Sequence, residues 1–129
     1  MNLDKKNIVI TSAVRTAIGI FNGSLKDMQA KDLGALVAKA AMQKSNLNSK
    51  DVDELIMGQV LTNAAGQNPA RQAAIQAGLP IDKTAYVINQ VCGSGLRSVV
   101  AGYQSIILND AKIIIAGGQE SMTNAPHAI

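Results

Sequence analysis

Short apolar runs alternate with amphipathic helical stripes along the whole chain, and that alternation restricts the fold more than any other property of the sequence. Asn7 to Val14, β-branched and mostly apolar, reads as a buried strand. Glu54 to Leu61, Ala85 to Val91 and Lys112 to Ala116 read as three more. Between the first two, Leu33, Leu36, Val37, Ala40 and Ala41 recur at i, i+3, i+4, i+7 and i+8, with Lys31, Asp32, Lys39, Gln43 and Lys44 outside the stripe. A second helix is delimited by Asn68 as cap, Pro69 at its first position, Gly78 at its close and Pro80 as a block to continuation. Leu96, Val99, Val100, Tyr103 and Ile107 form a third stripe, which ends near Asn109-Asp110. The order is βαβαβαβ. Such an order implies right-handed crossovers and an α/β layered fold, with a mainly parallel sheet covered by helices on both faces.

Composition narrows the reading further. The 129 residues, 47% of them apolar, suffice for one domain, 1–129, with a true core. Aromatic side chains are scarce, so that core is built from Ile, Val, Leu and Met, with many Ala and Gly allowing helices to approach the sheet closely. The 12 basic and 9 acidic residues leave a charge of +3. The positive residues are scattered rather than gathered into a tract, which argues against nucleic acid as a partner. No apolar run is long enough to span a bilayer, and Met1 to Lys6 lacks the apolar core of a secretory signal. A cytoplasmic protein without membrane association is expected. One cysteine excludes an internal disulfide, and with a single distant histidine it offers no metal site.

That cysteine, Cys92, stands where the third strand-like run meets the helix opened by Gly93-Ser94-Gly95-Leu96. A thiol at a helix N-terminus faces unpaired backbone N–H groups and the positive end of the dipole, which favour the nucleophilic thiolate. The flanking glycines leave room for a substrate carbonyl, and the amide of Cys92 itself can donate to an oxyanion. Free cysteines also serve as small buried hydrophobes. In open parallel sheets ligands collect beyond the carboxyl ends of the strands, where both Cys92 and the Gly117-Gly118-Gln119-Glu120 turn fall.

The remaining candidates each carry a bland alternative. Gly93 to Ser98 partly matches a dinucleotide fingerprint, but Ser98 replaces the third glycine and the run follows the third strand. His127 can serve a cysteine as base, yet it sits near the chain end after Pro126. Asn89 and Glu120 orient a loop or a ligand, or satisfy local backbone groups. Arg71 and Gln72 bind a phosphate, or pair at a helix surface or subunit interface. The methionines read as packing atoms.

Four motifs in order, Arg15-Thr-Ala-Ile-Gly19, Gly66-Gln-Asn-Pro-Ala-Arg-Gln72, Asn89-Gln-Val-Cys-Gly-Ser-Gly-Leu96 and Gly117-Gly-Gln-Glu-Ser-Met122, resemble the N-terminal part of a thiolase. The likeness covers essentially the whole chain and is greatest to the acetoacetyl-CoA (acetyl-CoA C-acetyltransferase) branch. It implies an acyl-CoA C-acyltransferase, using coenzyme A thioesters as substrates and no further cofactor, in which Cys92 attacks acetyl-CoA and carries the acetyl group. An enolate from a second acetyl-CoA then attacks the acetyl-Cys92 intermediate to give acetoacetyl-CoA, and thiolysis is the reverse. The resemblance also implies a homo-oligomer in the complete enzyme. In thiolases the acid/base cysteine and the Gly-His-Pro histidine lie in a loop region and second core domain that have no counterpart here, and His127 does not match that motif. The half-domain is thus expected to be incomplete at its C-terminus, without its fifth strand, and inactive alone. Two alternatives stand beside this: a non-catalytic or split-enzyme module that requires a partner chain, and a small nucleotide-binding domain.

Overall fold

The computed structural model describes residues 7–127. Its elements are α1 (Ala30–Lys44), β1 (Glu54–Gly58), α2 (Pro69–Ala77), β2 (Thr84–Ile88), α3 (Ser94–Ile107) and β3 (Ile114–Gly118), with short 3-10 turns at Ser49–Asp51 and Met122–Asn124. The strands form one parallel sheet in the order β2-β1-β3, with Leu55 opposite both Ala85 and Ile115. The central strand is the driest part of the molecule, since Leu55, Ile56 and Met57 are all fully buried. Leu55 and Met57 join Ala35, Ala38, Met42, Ala70, Ala73, Ala74 and Ala77 in the core beneath α1 and α2. Ile56 points the opposite way, toward α3. The α/β class and the parallel sheet are as the alternation of patterns requires.

The sheet has three strands among the described residues rather than four, because Asn7 to Val14 joins no ladder. Val9 and Ile10 are 71% and 78% exposed. The segment instead lies along α1, where Ser12 Oγ donates to the Ala41 carbonyl at 3.1 Å and Lys44 Nζ donates to the Ala13 carbonyl at 3.2 Å. Two cavities of about 310 and 460 Å³ separate it from β3. β-Branched composition favours extended chain, but a strand exists only where its backbone groups find a partner. Here the outer edge of β3 lies across the cavities.

Both large helices bury a different face from the one their apolar stripes predict. α1 buries Ala30, Gly34, Ala35, Ala38 and Met42, while Leu36 is 54% exposed. α3 buries Ser94, Ser98 and Gly102, a stripe of small residues at i, i+4 and i+8, and leaves Leu96, Val99, Val100 and Tyr103 exposed. Close approach is the reason: a Cβ on Gly102 would stand 3.2 Å from Ile114 Cγ2, so only the small face seats against the sheet. By contrast, α2 begins and ends where its punctuation says. The Asn68 side chain accepts from the Arg71 amide, Pro69 opens the helix and Gly78 closes it at φ 95°. No helix among the described residues is long and apolar enough to cross a membrane.

Candidate active site

The carboxyl ends of all three parallel strands meet at one rim, and Cys92 stands on it, exposed, in the turn between β2 and α3. This turn is tightly built. Gly93 N–H donates to the Gln90 carbonyl at 3.0 Å and Ser94 N–H to the Val91 carbonyl at 3.1 Å. The buried Ser94 hydroxyl accepts from Gln90 N–H at 2.8 Å and donates to the Val91 carbonyl at 2.6 Å. Val91, immediately before the cysteine, has φ +50°, a left-handed conformation that is a genuine outlier for a β-branched residue. That geometry ends the β2 run three residues earlier than its apolar pattern suggests and turns the chain into α3.

Close packing beneath the turn fixes it to the sheet. A Cβ at Gly58, the last residue of β1, would lie 2.4 Å from the Ser94 carbonyl carbon and 2.6 Å from Gly95 N. The first turn of α3 therefore rests directly on β1 backbone. The Ser98 hydroxyl, fully buried, lies 2.6 Å from the Gly95 carbonyl and 2.7 Å from the Gly117 carbonyl and shares its one proton between them, tying α3 to the end of β3.

The helix offers Cys92 what its position implies. Its N-cap, Gly93, has no side chain to occupy the first amides of α3, and among the described residues the amide of Cys92 makes no hydrogen bond. The exposed thiol thus stands at the positive end of a 14-residue helix. The arrangement can stabilise negative charge on an oxygen bound to a carbon that the sulfur attacks.

The structure brings Asn89 and Glu120 together through a single residue. Glu120 Oε2 accepts from Val60 N–H at 2.8 Å and from Leu61 N–H at 3.3 Å. Asn89 Nδ2 donates to the carbonyl of the same residue, Val60, at 3.3 Å, and Asn89 Oδ1 accepts from Val91 N–H at 3.0 Å. These bonds explain why the second strand stops at Gly58 rather than at Leu61: the Val60 and Leu61 amides are held by a carboxylate, not by a ladder. Below them Gln59 and Gln119, both buried, share a bond of 2.8 Å from Gln119 Nε2 to Gln59 Oε1. Neither glutamine has a signal in the sequence beyond its place at a strand end.

Other candidates lie elsewhere in the architecture. Arg71 donates to the Ile81 carbonyl at 2.6 Å and to the Lys83 carbonyl, clasping the connection between α2 and β2. Gln72 donates to the Ala65 and Gln67 carbonyls and accepts from Lys31 Nζ. Both side chains are thus engaged by backbone and a neighbouring lysine, the structural alternative to phosphate binding. The Gly93–Ser98 run is likewise occupied, with Ser94 and Ser98 buried and Gly95 packed near Gly118. His127 is exposed and makes no hydrogen bond to Cys92. Among the described residues no group of three His, Cys, Asp or Glu side chains is placed to hold a metal ion.

Residues 8–129 match the family described as thiolase, N-terminal domain. An acetyl-CoA acetyltransferase of Rhizobium meliloti is 54% identical over 97% of this chain and 32% of its own length, and one from Paracoccus denitrificans is 56% identical over 93% and 31%. A crystal structure of the Acat5 thiolase from Ascaris suum in complex with coenzyme A superposes with a TM-score of 0.91 at 41% identity, covering 93% of this chain and 31% of that one. The chain spans about a third of the length of these relatives. With its parallel sheet, its ordered motifs and these likenesses, the chain belongs to the thiolase family.

Proposed function

We propose that this chain carries the acyl-accepting half of a thiolase site, with Cys92 as nucleophile and coenzyme A thioesters, acetyl-CoA first among them, as substrates. The sulfur of Cys92, its proton passed to water, adds to the thioester carbonyl and forms a tetrahedral oxyanion; the oxyanion collapses with rupture of the C–S bond to coenzyme A, whose thiolate departs and takes a proton from water. The free amide of Cys92 is available to the oxyanion of the tetrahedral intermediate, where one such donor contributes on the order of 100- to 1000-fold in rate. Exchange of one thioester for another is nearly balanced, so the acetyl group stays reactive toward an enolate or a returning coenzyme A. The observation that carries this reading is the exposed thiol at the head of α3, beyond the carboxyl ends of three parallel strands. The names of the relatives and the coenzyme A bound to the Ascaris suum thiolase support the choice of substrate.

Among the described residues no side chain is hydrogen-bonded to Cys92 as a base. The reading is therefore of a half-reaction: acetylation without Claisen turnover, in the cytoplasm, where a lone thiol stays reduced. Chromatographic measurement of coenzyme A after mixing with acetyl-CoA tests it. One equivalent per chain is released and then release stops; Cys92→Ser releases none. Sustained acetoacetyl-CoA formation by the chain alone overturns the half-reaction, and release from Cys92→Ser overturns the nucleophile.

A second reading, of a module completed by further polypeptide, is favoured by the surface. The chain exposes 8485 Å², whereas a compact monomer of its mass, 13.4 kDa, exposes about 6500 Å². The excess is apolar in part, at Leu96, Tyr103, Val9 and Ile10, and supports association with a partner chain. Co-purification tests this: a stoichiometric partner chain that restores turnover supports it, and an active homo-oligomer contradicts it.

A further inference from the structure

Val91 stands in a conformation that its side chain disfavours, and both of its backbone polar groups are held. Its N–H is bound by Asn89 Oδ1 at 3.0 Å and its carbonyl by the Ser94 hydroxyl at 2.6 Å. Asn89 is in turn tied by its amide to the Val60 carbonyl, and the amide of Val60 is tied to Glu120 Oε2 at 2.8 Å. A continuous line of hydrogen bonds thus runs from the end of β3, across the end of β1, to the residue that precedes Cys92. Glu120 and Val91 are its outer members, and its longest step, from Val60 to Glu120, joins residues 60 positions apart in the chain.

We infer that Asn89 and Glu120, joined through the backbone of Val60, are positioning residues that hold Val91 left-handed and thereby keep Cys92 presented at the head of α3. The inference rests on Cys92 being the acyl acceptor. A left-handed β-branched residue is disfavoured against its relaxed conformers by a factor on the order of ten. Once Asn89 releases the Val91 amide, the relaxed conformers dominate, and the fraction of chains with the cysteine correctly presented falls by the same factor. Glycine at position 91 has no such preference, because without a Cβ it adopts positive φ about as readily as negative. The relay is then dispensable.

Rates of Cys92 alkylation by iodoacetamide, followed by intact mass in the full chain, read the presentation without reference to any substrate. Asn89→Ala slows alkylation about ten-fold, and adding Val91→Gly to it restores the rate to within about three-fold of the wild-type chain. Glu120→Ala slows alkylation less than Asn89→Ala, and Glu120→Gln, which keeps an acceptor for the Val60 amide, less again. Asn89→Asp keeps the oxygen that faces Val91 while losing the amide donor. It gives an intermediate rate, and it serves in place of Asn89→Ala should that variant not fold. Alkylation of Asn89→Ala at the wild-type rate, or a slow Asn89 variant that Val91→Gly does not rescue, overturns the inference. The same series run with acetyl-CoA separates the two readings: the order of rates seen with iodoacetamide, without acetylation of any form, removes the acyl-acceptor role and leaves the positioning intact.

Discussion

Replacing Gly58 by alanine tests the packing that joins the sheet to the cysteine turn. The added methyl carbon would stand 2.4 Å from the carbonyl carbon of Ser94, 2.6 Å from Gly95 N and 2.7 Å from Ser94 Cβ. Carbon atoms rest at about 3.5–4.0 Å, so each contact is short by about 1 Å. Two of the three atoms are backbone, and no rotamer change relieves them. The first turn of α3 must lift from β1, or β1 must bow in the driest part of the core. Overfilling a packed interior costs about 1–3 kcal/mol, and backbone on both sides puts this case at the upper end, about 3 kcal/mol. Stability is measured by urea unfolding followed by circular dichroism, with the slope checked for constancy. Gly78→Ala is the control. Gly78 has φ +95° with nothing within 4 Å of the new methyl, so that variant carries backbone strain alone, about 1 kcal/mol. A lifted Ser94 also pulls on Gln90 and Val91, which its hydroxyl joins, and acetylation of Cys92 in Gly58→Ala falls by about 100-fold on a displacement near 1 Å. A Gly58→Ala chain within about 0.5 kcal/mol of wild type, or one less perturbed than Gly78→Ala, refutes the reasoning.

Two further outcomes follow from single side chains. Asn68 caps α2 by accepting from Arg71 N–H at 3.0 Å and donates to the Ala85 carbonyl at 2.8 Å, so Asn68→Ala lowers unfolding stability by about 1–2 kcal/mol and Asn68→Gly by less, since Asn68 has φ 45°. Equal denaturation midpoints for all three chains contradict this. The Asp53 carboxyl is held below its ordinary value of 3.8 chiefly by the Lys112 and Ile113 amides that donate to it; burial opposes them, and the charges of Lys83 and Lys112 add smaller effects in the same direction as the amides. Because the folded chain binds this proton less readily than the unfolded one, the stabilisation is complete above 3.8 and is lost as pH falls below it. Stability measured from about pH 5 down to about pH 3 therefore declines less steeply in Asp53→Asn, and identical slopes contradict the assignment.

The parts of the fold that are legible in the sequence are those decided locally. The limits of α2 follow from Asn68, Pro69 and Gly78, each of which acts on backbone within a turn of itself. The three paired strands fall on apolar runs because each packs against a helix and pairs with a neighbour in the sheet. What escapes a reading of the sequence is decided at a distance. Among the described residues, Asn7 to Val14 has strand composition but no backbone partner, and Leu96, Val99 and Tyr103 form a stripe that nothing covers. Hydrophobic periodicity reports that a face is suited to burial, not against what. The small residues that α3 does bury, Ser94, Ser98 and Gly102, give no such signal.

The same division holds at the site. Cys92 stands out because a lone thiol between a strand-like run and a glycine-rich helix start is visible in a few consecutive residues. The bonds that hold its turn join Val60 to Glu120 and Val60 to Asn89 through main-chain groups that carry no identity of their own. Asn89 and Glu120 do satisfy backbone groups, the bland alternative for each. Those groups belong to the turn that carries the cysteine.

The acceptor role of Cys92 is tested most directly by peptide mass spectrometry of the chain after brief exposure to acetyl-CoA. One acetyl group is expected on Cys92, absent from Cys92→Ser and removed when excess coenzyme A is returned. Acetyl groups confined to lysines, or an adduct that survives in Cys92→Ser, would contradict it.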